Sequence, residues 1–320
     1  MFEDSVKFIA RRQDAATVVN GRPRQSVDII HVHTTGPYAL LLLLFGVGRK
    51  VTTAHITADS LMESIVGARQ LHGLAQRYLR WFYNRSDLVI AVSEQTAIEL
   101  GLAGVTKPIT ILPNLVSRRE VDAVHDRRIA VRRQIGINSD DILVVSVGQA
   151  QPRKGVFEFL ACAESLPGIR FAWVGGAIFG AASAGKSRIE KAFWSAPPNV
   201  LYCGSVSRER VYEYLAAADV YLSLSRQETF GLAVLEAAAA GCPLVLSDLP
   251  VFRRTYGEAA LYVGAEGPTS LIAKLANDEL LRRDLGRLAR KIAIQHDWRD
   301  NGEALMLAYR QLAAQGGATA

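Results

Sequence analysis

Short apolar runs of strand character alternate with longer runs of helical character, and that alternation limits the fold more than any other feature. VDIIHVHT (27–34), RKVTTAH (49–55), SDLVIAVS (86–93) and PITILPN (108–114) read as strands, with LHGLAQRYLRWFYN (71–84) and SEQTAIELGLAG (93–104) as helices between them. Parallel neighbours need a long crossover rather than a tight turn, so this order predicts parallel sheets. The series restarts at DILVVSVG (141–148) and runs on through VFEFLACAESL, RFAWVGG, VLYCGS, RVYEYLAAA, DVYLSLS, LAVLEAAAAG, PLVLS and ALYVG. Two series in 320 residues predict an α/β protein of two doubly wound, Rossmann-like domains facing a central cleft. Residues 116–141 carry six arginines and no strand-like run, which suits a linker with an exposed helix. The expected division is 1–125, 126–295 and a closing helix over 296–320.

Composition excludes several classes. Apolar residues make up 49% and charged residues 21%, ordinary for a soluble globular protein. The longest apolar run, YALLLLLFGVG (38–48), falls short of the ~20 residues that span a bilayer. No opening segment has the pattern of a signal peptide, which points to the cytoplasm. The three cysteines, Cys162, Cys203 and Cys242, show no paired spacing and are expected to be reduced and buried. A net charge of +6 suits an acidic partner such as a phosphate or an anionic membrane. No basic stripe or known motif argues for nucleic acid.

The stretch SRQETFGLAVLEAAAAGCPLVLS (225–247) places one carboxylate, Glu236, in an apolar helix, with Glu228 in the turn before it. A buried carboxylate needs a polar partner. The turn joins a strand end to a helix start, where the N–H groups of Phe230, Gly231 and Leu232 offer an anion seat. Glu236 is then within reach of a hydroxyl-bearing ligand held there; a neighbouring backbone group or arginine would serve it equally. VSVGQAQPRKGVFEFL (145–160) repeats the construction, with Arg153 and Lys154 at the start of its helix. Cations are disfavoured at that end of a helix unless an anion occupies the space.

ETFGLAVLE resembles the E-x7-E signature of retaining glycosyltransferases of the GT-B fold, in particular glycosyltransferase family 4. The resemblance implies that Glu228 contacts hydroxyls of the donor sugar and Glu236 the ribose of the nucleotide, within a donor loop that includes Thr229, Phe230, Gly231 and Leu232. RKG is similar to the family element whose basic residues hold the nucleoside diphosphate. Lys154 and Gly155 match it, while Gln149 stands where arginine is usual, leaving Arg153 to supply the second charge. Cations at a departing diphosphate require no divalent metal, so no cofactor is expected. TAHITADSLMESIVGA resembles the segment holding a histidine near the donor sugar, which assigns that role to His55, with Asp59 and Ser60 on the acceptor side. His31 and His33 with His55 also spell a zinc pattern, but no acid or cysteine nearby completes it, and bonds to loop backbone would account for both.

The stretch from HVHTTGP through LRWFYNRSDLVIAVS resembles the members that glycosylate membrane diacylglycerols. It implies a UDP-hexose donor, a lipid acceptor such as diacylglycerol or its monoglycosyl form, and a peripheral place on the cytoplasmic face of an anionic membrane. ARQLHGLAQRYLRWFYNR (68–85) has the basic and aromatic pattern of a helix at such a surface, though its apolar face would equally pack on its own sheet. Two features compete. GAASAGKS (180–187) fits the phosphate loop of a nucleoside triphosphatase, but AIF separates it from the preceding strand. Residues 1–26 read as a helix followed by ATVVNGRPRQS, where the family opens with a strand and a glycine-rich loop. A start lacking that strand and loop would leave a nucleotide-sugar binder without turnover.

Overall fold

The structure is a computed structural model that describes Ile9 and residues 27–58, 72–176 and 186–314. The described residues form two compact units: one of residues 27–58, 72–115 and 296–314, the other of residues 116–176 and 186–295. The chain leaves the first unit at Leu115, ahead of residue 125, and returns to it at His296. In chain order the first unit contributes β1 (Ile29–Val32), α1 (Pro37–Phe45), β2 (Arg49–Ala54), α2 (His72–Tyr83), β3 (Leu88–Ala91), α3 (Glu94–Leu102) and β4 (Ile109–Ile111). The second follows with α4 (Arg118–Asp122), α5 (Arg128–Gln134), β5 (Leu143–Val147), α6 (Val156–Ser165), β6 (Arg170–Val174), α7 (Lys186–Trp194) and β7 (Val200–Gly204). It continues through α8 (Arg208–Ala217), β8 (Val220–Ser223), α9 (Leu232–Ala239), β9 (Leu244–Ser247), α10 (Pro250–Tyr256), β10 (Ala260–Val263), α11 (Gly267–Asn277) and α12 (Glu279–Ile294). The closing helix, α13 (Trp298–Ala314), belongs to the first unit.

The first sheet is parallel and runs β1-β2-β3-β4. β3 is buried at every position, as a strand covered on both faces must be. Its alternate residues serve different cores. Val89 and Ala91 join Leu43, Leu79, Phe82, Tyr83 and Leu100 from the helices on one face. Leu88 and Ile90 meet Leu305, Ala308 and Leu312 of α13 on the other. In α2, Leu79, Phe82 and Tyr83 are buried while Leu74, Tyr78 and Trp81 stay exposed, so the helix has an apolar side in the core and an aromatic side in solvent. No helix among the described residues is long and apolar enough to cross a membrane.

The second sheet is parallel in the order β10-β9-β8-β5-β6-β7. Its sequence order reverses between β5 and β8. Phe159, Phe171, Trp173, Val245 and Ile272 fill the core beneath it. Residues 116–141 correct the expectation of a linker, because they pack on this unit. Arg132 is 3% exposed and donates to Asp219 Oδ2 (3.0 Å) and to the carbonyl of Asn138, while Arg128 pairs with Asp219 through its other oxygen. Asp219 also accepts from the N–H of Leu143 at 2.8 Å, which ties the arginines to the start of β5. Cys162 and Cys242 are buried as expected, whereas Cys203 is only half-buried on the edge strand β7.

Candidate functional site

The reversal between β5 and β8 sends their crossovers to opposite sides, which opens a crevice beyond their C-terminal ends. The loop after β5 leads to a single 3-10 turn, Pro152–Lys154, and then α6. Arg153 and Lys154 therefore precede the helix rather than opening it. Gly155 sits at φ 77, and a Cβ there would lie 2.4 Å from the carbonyl oxygen of Leu224. Only glycine lets the two loops approach so closely. The Arg226 N–H then donates to the Arg153 carbonyl at 2.8 Å, a second tie across the switch point.

These ties bring Lys154 Nζ into direct contact with Glu228 Oε1. Ser225 Oγ donates to the same carboxylate at 2.8 Å. Both side chains are largely covered, Lys154 at 18% and Glu228 at 11% exposure. Arg153 turns its Nε onto Gln151 Oε1 at 3.1 Å, and the side-chain oxygen of Gln149 is buried without a hydrogen-bond partner. α9 starts immediately after Gly231, whose φ of 86 is left-handed and whose added Cβ would meet the Phe252 ring at 2.6 Å. α9 opens at the C-terminal side of β8, and the Gly231 carbonyl accepts from the Val234 N–H at 3.0 Å to close its first turn. Phe230 is buried, and Thr229 and Leu232 are half-buried.

Glu236 is 7% exposed on α9. It meets the Arg208 guanidinium at 3.6 Å and accepts from the Tyr212 hydroxyl at 3.4 Å, both on Oε1. Of the readings open in the sequence, an arginine beside the carboxylate is therefore present. Burial, followed by the charge of Glu236, pushes the Tyr212 phenol far above its usual range, so it stays a donor. Tyr221 on β8 is likewise held protonated, by burial first and then by the carboxylates of Glu228 and Glu236. Tyr212, Ser225 and Tyr221 carry no signal that singles them out in the sequence. Arg208 had a visible signal: it follows a strand at the ligand end of the sheet and opens a helix capped by Ser207.

In the first unit His55 follows β2, which ends at Ala54, rather than closing the strand. Its Nε2 lies 3.3 Å from His33 Nδ1. The His31 and His33 rings are 4.1 Å apart. His31 bonds through Nδ1 to the Tyr309 hydroxyl and through Nε2 to Thr53 Oγ1, the latter at 2.7 Å. Both partners of His31 are thus side chains, which corrects the expectation of loop backbone for that residue. Both nitrogens of His31 are engaged, and no group of His, Cys, Asp or Glu among the described residues is arranged to hold a metal. Burial lowers all three imidazoles, His33 to about 3 and His55 to about 4. Asp59, Ser60, residues 180–185 of the competing phosphate-loop segment and, apart from Ile9, residues 1–26 lie outside the described residues.

Residues 127–292 match the family Glycosyl transferases group 1, and residues 10–120 match Glycosyltransferase Family 4. The alpha-galactosylglucosyldiacylglycerol synthase of Streptococcus pneumoniae is 29% identical over 300 residues, 92% of this chain and 80% of that protein. The processive diacylglycerol alpha-glucosyltransferase of Acholeplasma laidlawii is 24% identical over 72% of this chain and 68% of its own length. Sucrose-phosphate synthase from Thermosynechococcus elongatus superposes with a TM-score of 0.77 at 22% identity, over 90% of this chain and 74% of that one. Anabaena HepE in complex with UDP and glucose gives 0.75 at 17%, over 89% and 78%. These two likenesses show the fold, the GT-B pair of Rossmann-like domains. With a family match over more than half its length, the chain is a glycosyltransferase and belongs to the family Glycosyl transferases group 1.

Proposed function

We propose that the chain moves a hexose from a nucleotide sugar, with UDP-hexose as the donor, to a membrane lipid such as diacylglycerol or monoglycosyldiacylglycerol, with retention at C1. The observation that carries the donor half is the meeting of Lys154 and Glu228 at the switch point, with Glu236 on the adjoining helix. Lys154, assisted by Arg153, takes the diphosphate. Glu228 takes sugar hydroxyls, and Glu236 takes the ribose. The N–H groups around Thr229, Phe230, Gly231 and Leu232 face the same anion.

Negative charge grows on the phosphate oxygens as the bond to C1 breaks. A fixed ammonium and aligned N–H dipoles stabilise that charge most in the transition state. They supply what a divalent metal would otherwise supply, so the reading calls for no cofactor. His55 keeps the donor-sugar role that the resemblance implies, and burial leaves its imidazole neutral, able to donate from one nitrogen and accept at the other. Asp59 and Ser60 keep the acceptor side on the resemblance alone. The lipid acceptor is supported by the names of the two diacylglycerol-directed relatives. A peripheral place on the cytoplasmic face is supported by the exposed Leu74, Tyr78 and Trp81 of α2, with Arg85 stacked 4.7 Å over Trp81.

A panel of sugar nucleotides tested with diacylglycerol vesicles, with products identified by mass, tests this. The expected result is a hexosylated lipid from one donor, with Lys154→Ala lowering kcat on the order of 10²–10³. Product on a soluble sugar alone would remove the lipid acceptor and keep the transferase. Binding without donor cleavage would leave a binder, and nucleoside triphosphate hydrolysis dependent on Lys186 would favour the phosphate loop.

A further inference from the structure

We infer that Arg208 is a positioning residue for Glu236, holding that carboxylate in the orientation that meets the hydroxyls of the donor's ribose. The inference rests on the ribose assignment of Glu236 made above and adds a residue that the E-x7-E signature does not contain.

The geometry is a directed chain of three groups. Ser207 caps α8 by accepting the Arg210 N–H at 3.2 Å, which fixes where the helix begins and places Arg208 in its first turn. Tyr212 lies four positions on, so the two side chains share one helix face. Arg208 Nε donates to the Tyr212 oxygen at 2.6 Å, and its guanidinium carbon stands 5.5 Å from the ring centre. With the fork held there, its Nη2 points to Glu236 Oε1 at 3.6 Å, and the Tyr212 proton is directed to the same oxygen at 3.4 Å. Tyr212 is 2% exposed and cannot swing away without disturbing the core.

The Tyr212 hydrogen bond is long and the Arg208 contact is an ion pair rather than a hydrogen bond, and both act on the orientation of Oε1. A carboxylate accepts at about four lone-pair positions, enough for these two donors and a vicinal diol together. A guanidinium suits the task because its planar fork can address Tyr212 and Glu236 at once, which a lysine ammonium cannot do in a fixed geometry. Glu236 sits on a helix that is otherwise apolar, LAVLEAAA, so no other charge on α9 could orient it. Arg208, at the strand-to-helix junction after β7, brings a cation to it.

The test is a calorimetric titration of UDP and of 2′-deoxy-UDP into the wild type, Arg208→Ala, Arg208→Lys and Tyr212→Phe, each checked for an unchanged thermal midpoint. The wild type is expected to prefer the ribonucleotide by about tenfold, the effect of one hydrogen bond to a charged group. In Arg208→Ala and Tyr212→Phe that ratio should fall towards one, through loss of UDP affinity, and Arg208→Lys should lie between. A merely structural arginine would weaken both ligands and leave the ratio alone. A folded Arg208→Ala that keeps the wild-type ratio overturns the inference and leaves the ribose assignment standing. A wild type with no preference between the two nucleotides overturns the assignment of Glu236, and the inference with it.

Discussion

At the scale of single residues, burial decides the chemistry of the histidines. His31, His33 and His55 are held below the ordinary 6.5 because burial penalises the charged ring, and neighbouring imidazoles add to the effect at His31 and His33. The unfolded chain, with ordinary values, takes up protons first as pH falls. Stability is unaffected by the three rings above pH 6.5 and falls as pH drops through the 4 of His55 towards the 3 of His33. His33→Gln should flatten the fall in denaturant midpoint between pH 6.5 and 4 relative to the wild type; parallel curves would contradict this. The pattern H-x-H was plain in the sequence, but its partners were not. Tyr309 lies 278 positions from His31, and no local signal links them.

At the scale of elements, the segment 116–141 gives the clearest lesson in what a sequence conceals. Its arginines look like a solvated run, the usual fate of such charge. Asp219, 87 positions from Arg132 and just ahead of β8, draws Arg128 and Arg132 inward and holds the Leu143 N–H as well. Removing one partner of a buried ion pair strands the other, so Asp219→Ala should cost about 3–5 kcal/mol in chemical denaturation. A loss below about 1 kcal/mol would place the pair among surface bridges of little weight. The strands and the E-x7-E turn, by contrast, were legible because they are local. Period, glycine and capping chemistry act within a few residues, and Gly155 and Gly231 take up the positive φ values that their turns require. The order of strands, and with it the switch point, depends on pairings between distant segments. Contact of Lys154 with Glu228 follows from that order and from the Gly155–Leu224 approach, neither of which spacing alone displays.

At the scale of the molecule, two Rossmann-like units divide the labour. The second unit holds the charged crevice, and the first holds the histidines and the helix with exposed aromatic residues. In the proposed function, the crevice of the second unit seats a nucleoside diphosphate on Lys154. Calorimetric titration of UDP into the wild type and into a folded Lys154→Ala variant tests it most directly. A hydrogen bond to a charged group is worth ~1.5–3 kcal/mol, so the variant is expected to bind about 10- to 100-fold more weakly. Equal affinity in the two proteins would contradict the claim.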